Sequence, residues 1–440
     1  MSPELTKLDA SMAKPPLRNR ASICVSDGFL FIGGAFMAFL LVWSLWSVVT
    51  PNGQNPSPNP SPNFEQNVGV EPEAKREDYD PLEKTFYDDP ETSYSIGKPV
   101  KNWDEKRREW LRRHPSFAGG ERVLMVSGSQ PSACKNPIGD HFLLRFFKNK
   151  VDYCRIHGYD IFYNNALLHP KMGSYWAKLP VVRAAMMAHP EAEWIYWVDS
   201  DALFTDMDFK LPLDKYKNHN LIVHGWAHLI QQTHSWTGLN AGVFLIRNSQ
   251  WALDFIEVWA KMGPQTPDYE KWGGILRSTF PDKEFPESDD QTGLAYLIYK
   301  EKDTWADKIY LENEYYFEGY WEEIVRTLDN ITKGYDEMER EDRRLRRRHA
   351  EKVSEQYGAI REERVKEGGD ASRRRPFITH FTGCQPCSGN HNEMYSGKSC
   401  WDGMVKALNF ADNQVLRRFG FLHPQLLDSS VSPVPFDYPV

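Results

Sequence analysis

The sequence predicts an α/β fold with a sheet of parallel neighbouring strands, as in nucleotide-binding domains. Two observations support this prediction. From residue 122 onward, short apolar runs typical of buried strands alternate with segments of helical apolar spacing. One of these runs, Trp194–Val198 (WIYWV), leads directly into Asp199-Ser200-Asp201. Two carboxylates therefore follow a buried strand at its carboxyl end, which is where sheets of this kind bind ligands.

The individual elements follow from local patterns. Strands are expected at Val123–Val126, Asp160–Tyr163, Trp194–Val198, Leu221–His224 and Ala241–Ile246. Helices are expected at His141–Gly158, Tyr175–His189, Gln250–Met262 and Gln291–Lys300. The late segment Phe377–Gly383 (FITHFTG) is predicted to end a strand with a histidine.

Composition limits the class of protein. The 440 residues are 41% apolar and 13% aromatic, which is ample for a folded core. Most of the 15 tryptophans and 20 tyrosines are expected in that core, although flat aromatic faces also line sugar-binding grooves. The net charge of −8 argues against binding to nucleic acid, because the chain has no excess of phosphate-attracting groups.

The first 49 residues predict a membrane anchor. Residues 29–49 form 21 uncharged and mostly apolar positions, enough to span a bilayer as a helix. Lys7, Lys14, Arg18 and Arg20 precede this segment, and the next basic residue after it is Lys75. The positive-inside bias therefore predicts a cytosolic tail at 1–28 and a lumenal body, a type II topology. A cleaved signal peptide is the weaker alternative, since the polar leader is long.

The remaining chain divides by composition. Residues 50–115 are predicted to be a stem, with an extended Pro/Asn/Ser-rich spacer at Pro51–Phe64 and a short helix at Trp103–Arg113. The folded domain is expected at 116–425 and a C-terminal tail at 426–440. Within the domain, residues 335–375 interleave basic and acidic residues, which predicts a solvated helix or a mobile insertion. A binding role for the arginines of this insertion is the alternative.

Cysteines and a sequon agree with a lumenal body. Five cysteines follow the apolar segment, so at least one of them is free or paired with another chain: Cys134, Cys154, Cys384, Cys387 and Cys400. For the Cys384-x-x-Cys387 motif a structural disulfide is favoured over a zinc site. Asn330-Ile-Thr predicts N-glycosylation at Asn330.

Asp199 and Asp201 are the first candidates for chemistry. Carboxylates spaced in this way suit a hard divalent cation such as Mn²⁺ or Mg²⁺, which prefers oxygen ligands. The structural alternative is that they cap a helix or form a turn. The segment Gly238–Asn248 joins a turn of small residues to a strand, so that Asn240 and the backbone can approach a ligand.

Two later segments add to this set. Ser288-Asp289-Asp290-Gln291 begins a helix, where its acids either favour the helix dipole, accept hydrogen bonds from sugar hydroxyls or act in catalysis. His380 is either structural or a third ligand for the cation, since imidazole binds Mn²⁺ well.

Taken together, these segments resemble the lumenal GT-A glycosyltransferases that use a nucleotide sugar. The runs WIYWVDSDALFTDMDF, LNAGVFLIRNSQWALDFI, ESDDQ and HFTGCQPC are similar to those of the plant family of xyloglucan xylosyltransferases and galactomannan galactosyltransferases. The resemblance covers about residues 115–425, and the anchor and stem match the family in layout. It implies a GT-A catalytic domain behind a single transmembrane helix, in the Golgi membrane.

The resemblance also implies a role for each matching position. Asp199 and Asp201 match the motif that holds Mn²⁺ (or Mg²⁺) and the donor diphosphate, and His380 matches the third metal ligand. Asp289, Asp290 and Gln291 match the acidic segment beneath the sugar and the reacting carbon. There, either Asp289 or Asp290 forms a covalent intermediate, or the acceptor attacks on the leaving-group face with a phosphate oxygen as the base, which is the favoured alternative. The other nucleotide-sugar-binding positions are Lys178, Ser200, Asn240, Ala241, Gly242 and Gly383. One departure is Gln385, which stands in a region where related transferases usually carry a phosphate-binding lysine.

Within the family, likeness to the galactomannan branch implies transfer of galactose from UDP-galactose, in α-1,6 linkage, onto a β-1,4-mannan acceptor, with retention of configuration. The alternative within the family is xylose from UDP-xylose onto β-1,4-glucan. The alternatives outside it are a metal-dependent phosphodiesterase or glycoside hydrolase, and a lectin or assembly partner of the same fold. A mannan synthase or a second copy of the chain would be a suitable partner for such an enzyme.

Overall fold

A six-stranded mixed sheet forms the centre of the computed structural model, in the order β2-β1-β3-β6-β5-β7. Its strands are β1 (Val123–Gly128), β2 (Asp160–Asn164), β3 (Trp194–Val198), β5 (Leu221–Gly225), β6 (Leu239–Arg247) and β7 (Ile309–Glu312). Two small sheets pair β4 (Ala202–Phe204) with β8 (Ile378–His380) and β9 (Phe421–Leu422) with β10 (Ser432–Pro433). The prediction of an α/β sheet is confirmed, but its strands are not all parallel. Strand β6 runs antiparallel to both β3 and β5.

Helices accompany this sheet, some of them close to predicted positions and others not predicted from the sequence. They are α1 (Trp103–Arg113), α2 (Gly139–His157), α3 (Lys178–Ala188), α4 (Gln250–Ala260), α5 (Tyr269–Thr279), α6 (Asp290–Lys300), α7 (Lys302–Trp305), α8 (Trp321–Glu341), α9 (Arg343–Arg346), α10 (Gly358–Glu367) and α11 (Gly397–Leu416). Helix α2 ends where predicted, because Gly158 takes up the left-handed conformation, with φ of 69°, that terminates many helices. The predicted start of α3 at Tyr175 is instead a short 3₁₀ turn, Ser174–Ala177.

The structure describes residues 85–346, 351–352, 356–367 and 374–435, which belong to a unit spanning Glu77–Val440. The predicted cytosolic tail (1–28), the transmembrane segment (29–49) and the first part of the stem lie outside the described residues. So does the end of the predicted tail, from 436 to 440. None of the helices within the described ranges is long and apolar enough to cross a membrane.

Strand β3 supplies core residues to both faces of the sheet. Ile195 and Trp197 pack into the cluster beneath α3, α4 and α6, whereas Trp194, Tyr196 and Val198 pack on the opposite face. All five are buried. Because residues of alternate parity point to opposite faces, a strand buried on both sides is apolar throughout, as WIYWV is.

Part of the predicted stem packs against this core. Trp103 is fully buried, with Ile96 and Val100 beside it in the cluster under α3 and α4. The indole Nε1–H of Trp103 donates to Asn248 Oδ1 at 2.8 Å. Arg183 donates to three backbone carbonyls of the same segment, those of Ser93, Ser95 and Lys98. The folded unit therefore includes residues that lie before the expected boundary at 116.

The charged segment 335–375 is also attached to the body where the structure describes it. Asp208 accepts hydrogen bonds from Arg361 (3.1 Å), Arg375 (3.0 Å) and Arg418 (2.9 Å). Burial opposes ionisation of Asp208, but these arginines outweigh it and lower its pKa to about 2. The guanidinium of Arg375 also lies 3.8 Å from the ring centre of Tyr335. Arg361 and Arg375 of this segment are therefore held in buried ion pairs rather than being solvated.

Two disulfides join late segments to the body, Cys134–Cys387 and Cys384–Cys400. Both cysteines of the Cys-x-x-Cys motif thus form structural disulfides, each with a partner outside the motif. Cys154 is free and buried, which confirms that the odd count leaves at least one cysteine without a disulfide. Asn330 is exposed in the middle of α8, and its glycosylation stays a prediction.

Trp103 and Trp110 provide a matched test of the packing of α1. Trp103→Ala should destabilise the protein by about 3–5 kcal/mol, because it opens a cavity in the core and leaves Asn248 Oδ1 without its donor. Trp110 is only partly buried and stacks on His114, within 4.2 Å between ring centres, so Trp110→Ala should cost much less. Urea unfolding of the two variants measures the difference. Equal losses of stability would contradict the inclusion of this segment in the core.

Candidate active site

The acidic turn after β3 is held by the neighbouring strand. The backbone N–H of Asp199 donates to the carbonyl of Gly242 in β6 at 2.8 Å, and the N–H of Ala202 donates back to the carbonyl of Asp199 at 3.2 Å. The indole Nε1–H of Trp197 donates to Asp199 Oδ1 at 2.6 Å. The two carboxylates therefore leave the edge of the sheet in a fixed turn, which also places the backbone of Ser200 between them.

Strand β4 continues from this turn and pairs with β8, and that pairing brings in His380. Ala202 is opposite His380 in the register, and the N–H of Phe381 donates to the carbonyl of Asp201 at 3.1 Å. Nε2 of His380 lies 3.3 Å from Asp201 Oδ1 and 3.9 Å from Asp199 Oδ2. The three side chains each offer a ligand atom within 4.8 Å of the others. Two carboxylates and an imidazole are a donor set that suits Mn²⁺ or Mg²⁺.

Gly242 is the residue that allows this approach. A Cβ at Gly242 would lie 2.3 Å from Cε1 of His380 and 2.7 Å from Oδ2 of Asp199. Contacts this short are not tolerated, so a larger residue would push the imidazole or the carboxylate away. The small residue predicted at this turn therefore makes room for the side chains of His380 and Asp199, and not only for a ligand.

The charges of the site favour a cation. Burial opposes protonation of His380, but Asp201 and Glu318 outweigh it and raise its pKa to about 10. The same contact with His380 lowers the pKa of Asp201, against the effect of burial. The site thus attracts positive charge strongly enough to protonate an imidazole, and a cation bound between the three side chains would take the place of that proton.

Lys178 connects this group to the acidic start of α6. Its Nζ lies 2.7 Å from Asp290 Oδ2 and 3.4 Å from Asp199 Oδ1, and it donates to the carbonyl of Ala241 at 3.0 Å. Burial lowers the pKa of Lys178, but the two carboxylates outweigh it and raise the pKa overall. Burial, together with Asp289 and Asp199, raises the pKa of Asp290 to about 6 against the opposing charge of Lys178.

Asp289 and Asp290 occupy different environments although they are adjacent. Asp289 is the N-cap of α6, since its Oδ1 accepts from the N–H of Thr292 at 2.8 Å. Its Oδ2 accepts from Thr292 Oγ1 and lies 2.7 Å from Nζ of the fully buried Lys283. The structural alternative for the acidic pair therefore holds for Asp289. Asp290 instead lies on the side of Asp199, and the ammonium group of Lys178 contacts both carboxylates.

The other predicted positions lie around the same edge of the sheet. The amide of Gln291 spans two backbone groups: Oε1 accepts from the N–H of Ala241 at 3.3 Å, and Nε2 donates to the carbonyl of Trp236 at 3.2 Å. Asn240 Oδ1 accepts from the N–H of Gly242 at 2.8 Å. Gly383 has φ of 76° and lies at the rim. Gln385 is exposed, and its Oε1 accepts from Ser388 Oγ.

A cleft of about 1110 Å³ opens beside this group. Asn240, Gln291, Gly383 and Glu318 contribute to its wall. Its aromatic lining consists of Phe209, Trp226, Trp236, Tyr315, Tyr316, Tyr320, Phe377 and Tyr395. Trp226 and Tyr316 are 37% and 49% exposed, so flat apolar faces are presented to the space. Surfaces of this kind are suited to stacking against pyranose rings.

Sequence reasoning missed two charged residues of the site. Lys150 is fully buried under the acidic turn and donates to the carbonyl of Ala202 at 2.6 Å. Burial lowers its pKa to about 7, although Asp201 and Asp199 act in the other direction. Its position between Phe146 and Tyr153 on the apolar stripe of α2 is a signal that could have identified it. Glu318, in contrast, lies in an irregular aromatic segment with no periodicity to mark it.

Comparison with known proteins places the chain in a family. Residues 119–391 match the model of the galactosyl transferase GMA12/MNN10 family. Galactomannan galactosyltransferase 1 of Cyamopsis tetragonoloba is 63% identical over 97% of this chain and 100% of that protein. Glycosyltransferase 6 of Arabidopsis thaliana is 60% identical over 97% of this chain and 99% of its own length.

More distant matches include a relative in sequence and a solved structure. A probable xyloglucan 6-xylosyltransferase 3 of Arabidopsis thaliana is 43% identical over 78% of this chain and 68% of that protein. Among solved structures, a glycosyltransferase involved in glycosylation of the major capsid of PBCV-1 covers 64% of this chain and 98% of its own, with 13% identity. Its TM-score of 0.34 is too low to support an argument. The extent and identity of the sequence matches are decisive: the chain belongs to the galactosyl transferase GMA12/MNN10 family and is a glycosyltransferase.

Proposed function

We propose that this protein transfers galactose from UDP-galactose, in α-1,6 linkage, onto the β-1,4-mannan backbone of galactomannan. The observation that carries the proposal is the convergence of Asp199, Asp201 and His380 within 4.8 Å at the edge of a large aromatic cleft. The three side chains fit a divalent cation, Mn²⁺ or Mg²⁺, and the cleft has the lining that a polysaccharide acceptor requires. The proposal includes a GT-A catalytic fold.

The identity of the sugars rests on the relatives. A galactomannan galactosyltransferase is 63% identical over nearly the full length of both chains, whereas the xylosyltransferase relative is 43% identical over a shorter region. This difference favours galactose and mannan over xylose and glucan. The topology that we propose is a type II protein of the Golgi membrane with its catalytic domain in the lumen, and it rests on the apolar segment at 29–49.

The chain's own residues do three things in this reaction. A cation held by Asp199, Asp201 and His380 would supply neutralisation of the negative charge on the departing diphosphate. Lys178 keeps Asp290 ionised and fixed beside Asp199 in a buried site, where an electrostatic contact is stronger than in water. The aromatic wall orients the acceptor and excludes water, which would otherwise compete as the nucleophile.

Asp290 is the carboxylate that we assign to the sugar. Both oxygens of Asp289 already accept hydrogen bonds within the protein or pair with Lys283. Retention of configuration then follows by attack of the acceptor hydroxyl on the anomeric carbon from the face of the leaving group: the bond from that carbon to the diphosphate breaks as the new glycosidic bond forms, and the hydroxyl proton passes to a phosphate oxygen. Asp290 positions the sugar and stabilises positive charge at the reacting carbon.

The substrates are tested with the purified full-length protein. It is incubated with mannan and glucan oligomers, each with UDP-galactose and with UDP-xylose, and the products are analysed for mass and linkage. We expect α-1,6-linked galactose on the mannan oligomers and little or no product in the other three mixtures. Transfer of xylose to glucan in preference would overturn the assignment. Release of free sugar without transfer would indicate a hydrolase.

Loss of either acid of the turn should abolish transfer without unfolding the protein. Asp199→Asn and Asp201→Asn should each lower kcat/KM by at least about 100-fold, since a charge that stabilises the transition state is lost. Asp214 is an exposed aspartate, so Asp214→Asn serves as the control and should retain full activity. Full activity of either site variant in the presence of a chelator would contradict a metal-dependent mechanism.

The adjacent acids of α6 should respond differently to the same substitution. Asp290→Asn should lower kcat by about 100-fold with little change in thermal stability, because Lys178 keeps Asp199 as a partner. Asp289→Asn should instead destabilise the protein by about 3–5 kcal/mol, because it leaves the buried Lys283 without its counter-charge. Steady-state kinetics and urea unfolding measure the two effects. The reverse pattern would assign the catalytic carboxylate to Asp289.

A further inference from the structure

Glu318 is a buried acid that contacts the candidate metal site from behind. Its Oε1 lies 3.2 Å from Nδ1 of His380, on the side of the ring opposite to the two aspartates, and its side chain is only 8% exposed. Within the part of the chain that the structure describes, no lysine or arginine forms an ion pair with it. His380 is therefore the charged neighbour that the geometry provides for this carboxylate.

The backbone fixes Glu318 at this position. Its segment lies along β8, where the N–H of Ile378 donates to the carbonyl of Tyr316 at 3.0 Å and the N–H of His380 donates to that of Gly319 at 2.9 Å. Close approach is possible because residue 319 is glycine: a Cβ there would lie 2.6 Å from the carbonyl oxygen of Ile378. Backbone hydrogen bonds before and after residue 318 therefore place the Glu318 carboxylate against the imidazole of His380.

The two nitrogens of His380 then have different surroundings. Nε2 faces Asp199 and Asp201, whereas Nδ1 faces Glu318. A neutral imidazole carries one proton, and the nitrogen that binds a cation must be the one without it. A carboxylate beside Nδ1 retains the proton there and leaves the lone pair of Nε2 directed between the two aspartates.

We propose that Glu318 is a positioning residue for metal binding: it fixes the orientation and tautomer of His380 so that Nε2 is presented to a divalent cation. The inference rests on the proposed function, because it assumes that Asp199, Asp201 and His380 hold the cation. Glu318 lies outside both the acidic turn and β8, so metal binding would depend on a third segment of the chain.

The test measures binding of Mn²⁺ alone to the full-length protein by isothermal titration calorimetry, with no nucleotide or acceptor present. Glu318→Ala should weaken Mn²⁺ binding by about 10- to 100-fold, as removal of a carboxylate behind a ligating histidine does. Glu318→Gln should have a smaller effect, because its amide oxygen can occupy the position beside Nδ1 that a carboxylate oxygen has in the wild type. Glu323 is exposed on the same cleft, so Glu323→Gln removes an equal charge and should leave the affinity unchanged.

The outcomes separate this inference from the proposed function. Folded Glu318→Ala and Glu318→Gln variants that bind Mn²⁺ as the wild type does would overturn the inference and leave the proposed metal site intact. A change in melting temperature without a change in affinity would likewise reduce Glu318 to a structural role and overturn it. A wild-type protein that transfers sugar but does not bind Mn²⁺ would overturn the metal site itself, and the role of Glu318 with it. If Glu318→Ala does not fold, the Mn²⁺ affinity of Glu318→Gln is compared with that of Glu323→Gln. Weaker binding by Glu318→Gln alone supports the inference, and equal affinities overturn it.

Discussion

The pairing of β4 with β8 is the constraint on which the site depends. The acidic turn and the histidine are far apart in sequence, and only three residues of each strand bring them together, with Ala202 opposite His380. The hydrogen bond from the N–H of Phe381 to the carbonyl of Asp201 extends this pairing into the turn itself. The same strand aligns the segment that carries Glu318. A shift of register by one residue would turn His380 to the opposite face and separate all of these groups.

Buried lysines make this concentration of acids tolerable. Unpaired carboxylates are costly to bury, and here Lys178 lies between Asp199 and Asp290, while Lys283 pairs with Asp289. Lys150 has backbone carbonyls rather than a carboxylate as its hydrogen-bond acceptors, and it stabilises the turn from below. These lysines leave the space between Asp199, Asp201 and His380 with excess negative charge, which a divalent cation in that space would neutralise. The arrangement is therefore suited to a cation and to a negatively charged diphosphate bound to it.

The sequence predicted local features well and long-range pairings poorly. Strand β3 and helix α1 have the predicted bounds, because both depend on short-range patterns in the sequence. The antiparallel direction of β6 was missed, since no local pattern reports the direction of a neighbouring strand. The packing of Trp103 was missed because its segment is polar on average and its few core residues are irregularly spaced. His380 was a candidate ligand from its residue type alone, with a structural role left open, because its contact with the two aspartates depends on the pairing of β4 with β8. Glu318 was not identified at all, because its contact with His380 exists only in the folded chain.

The proposed donor site and much of the cleft wall are built from different elements of the fold. The residues proposed to hold the cation and the donor come from the turn after β3, from β6 and β8, and from the starts of α3 and α6. These elements also supply side chains to the core. Much of the cleft wall comes instead from later segments, such as that of Tyr395, which lies between the two disulfide-bonded stretches at Cys384–Cys387 and Cys400. Tyr395 packs against a buried cluster that includes Cys384 and Cys400, and none of the central strands contributes to that cluster. Substitutions in this wall can therefore alter the fit of a polysaccharide without disturbing the sheet.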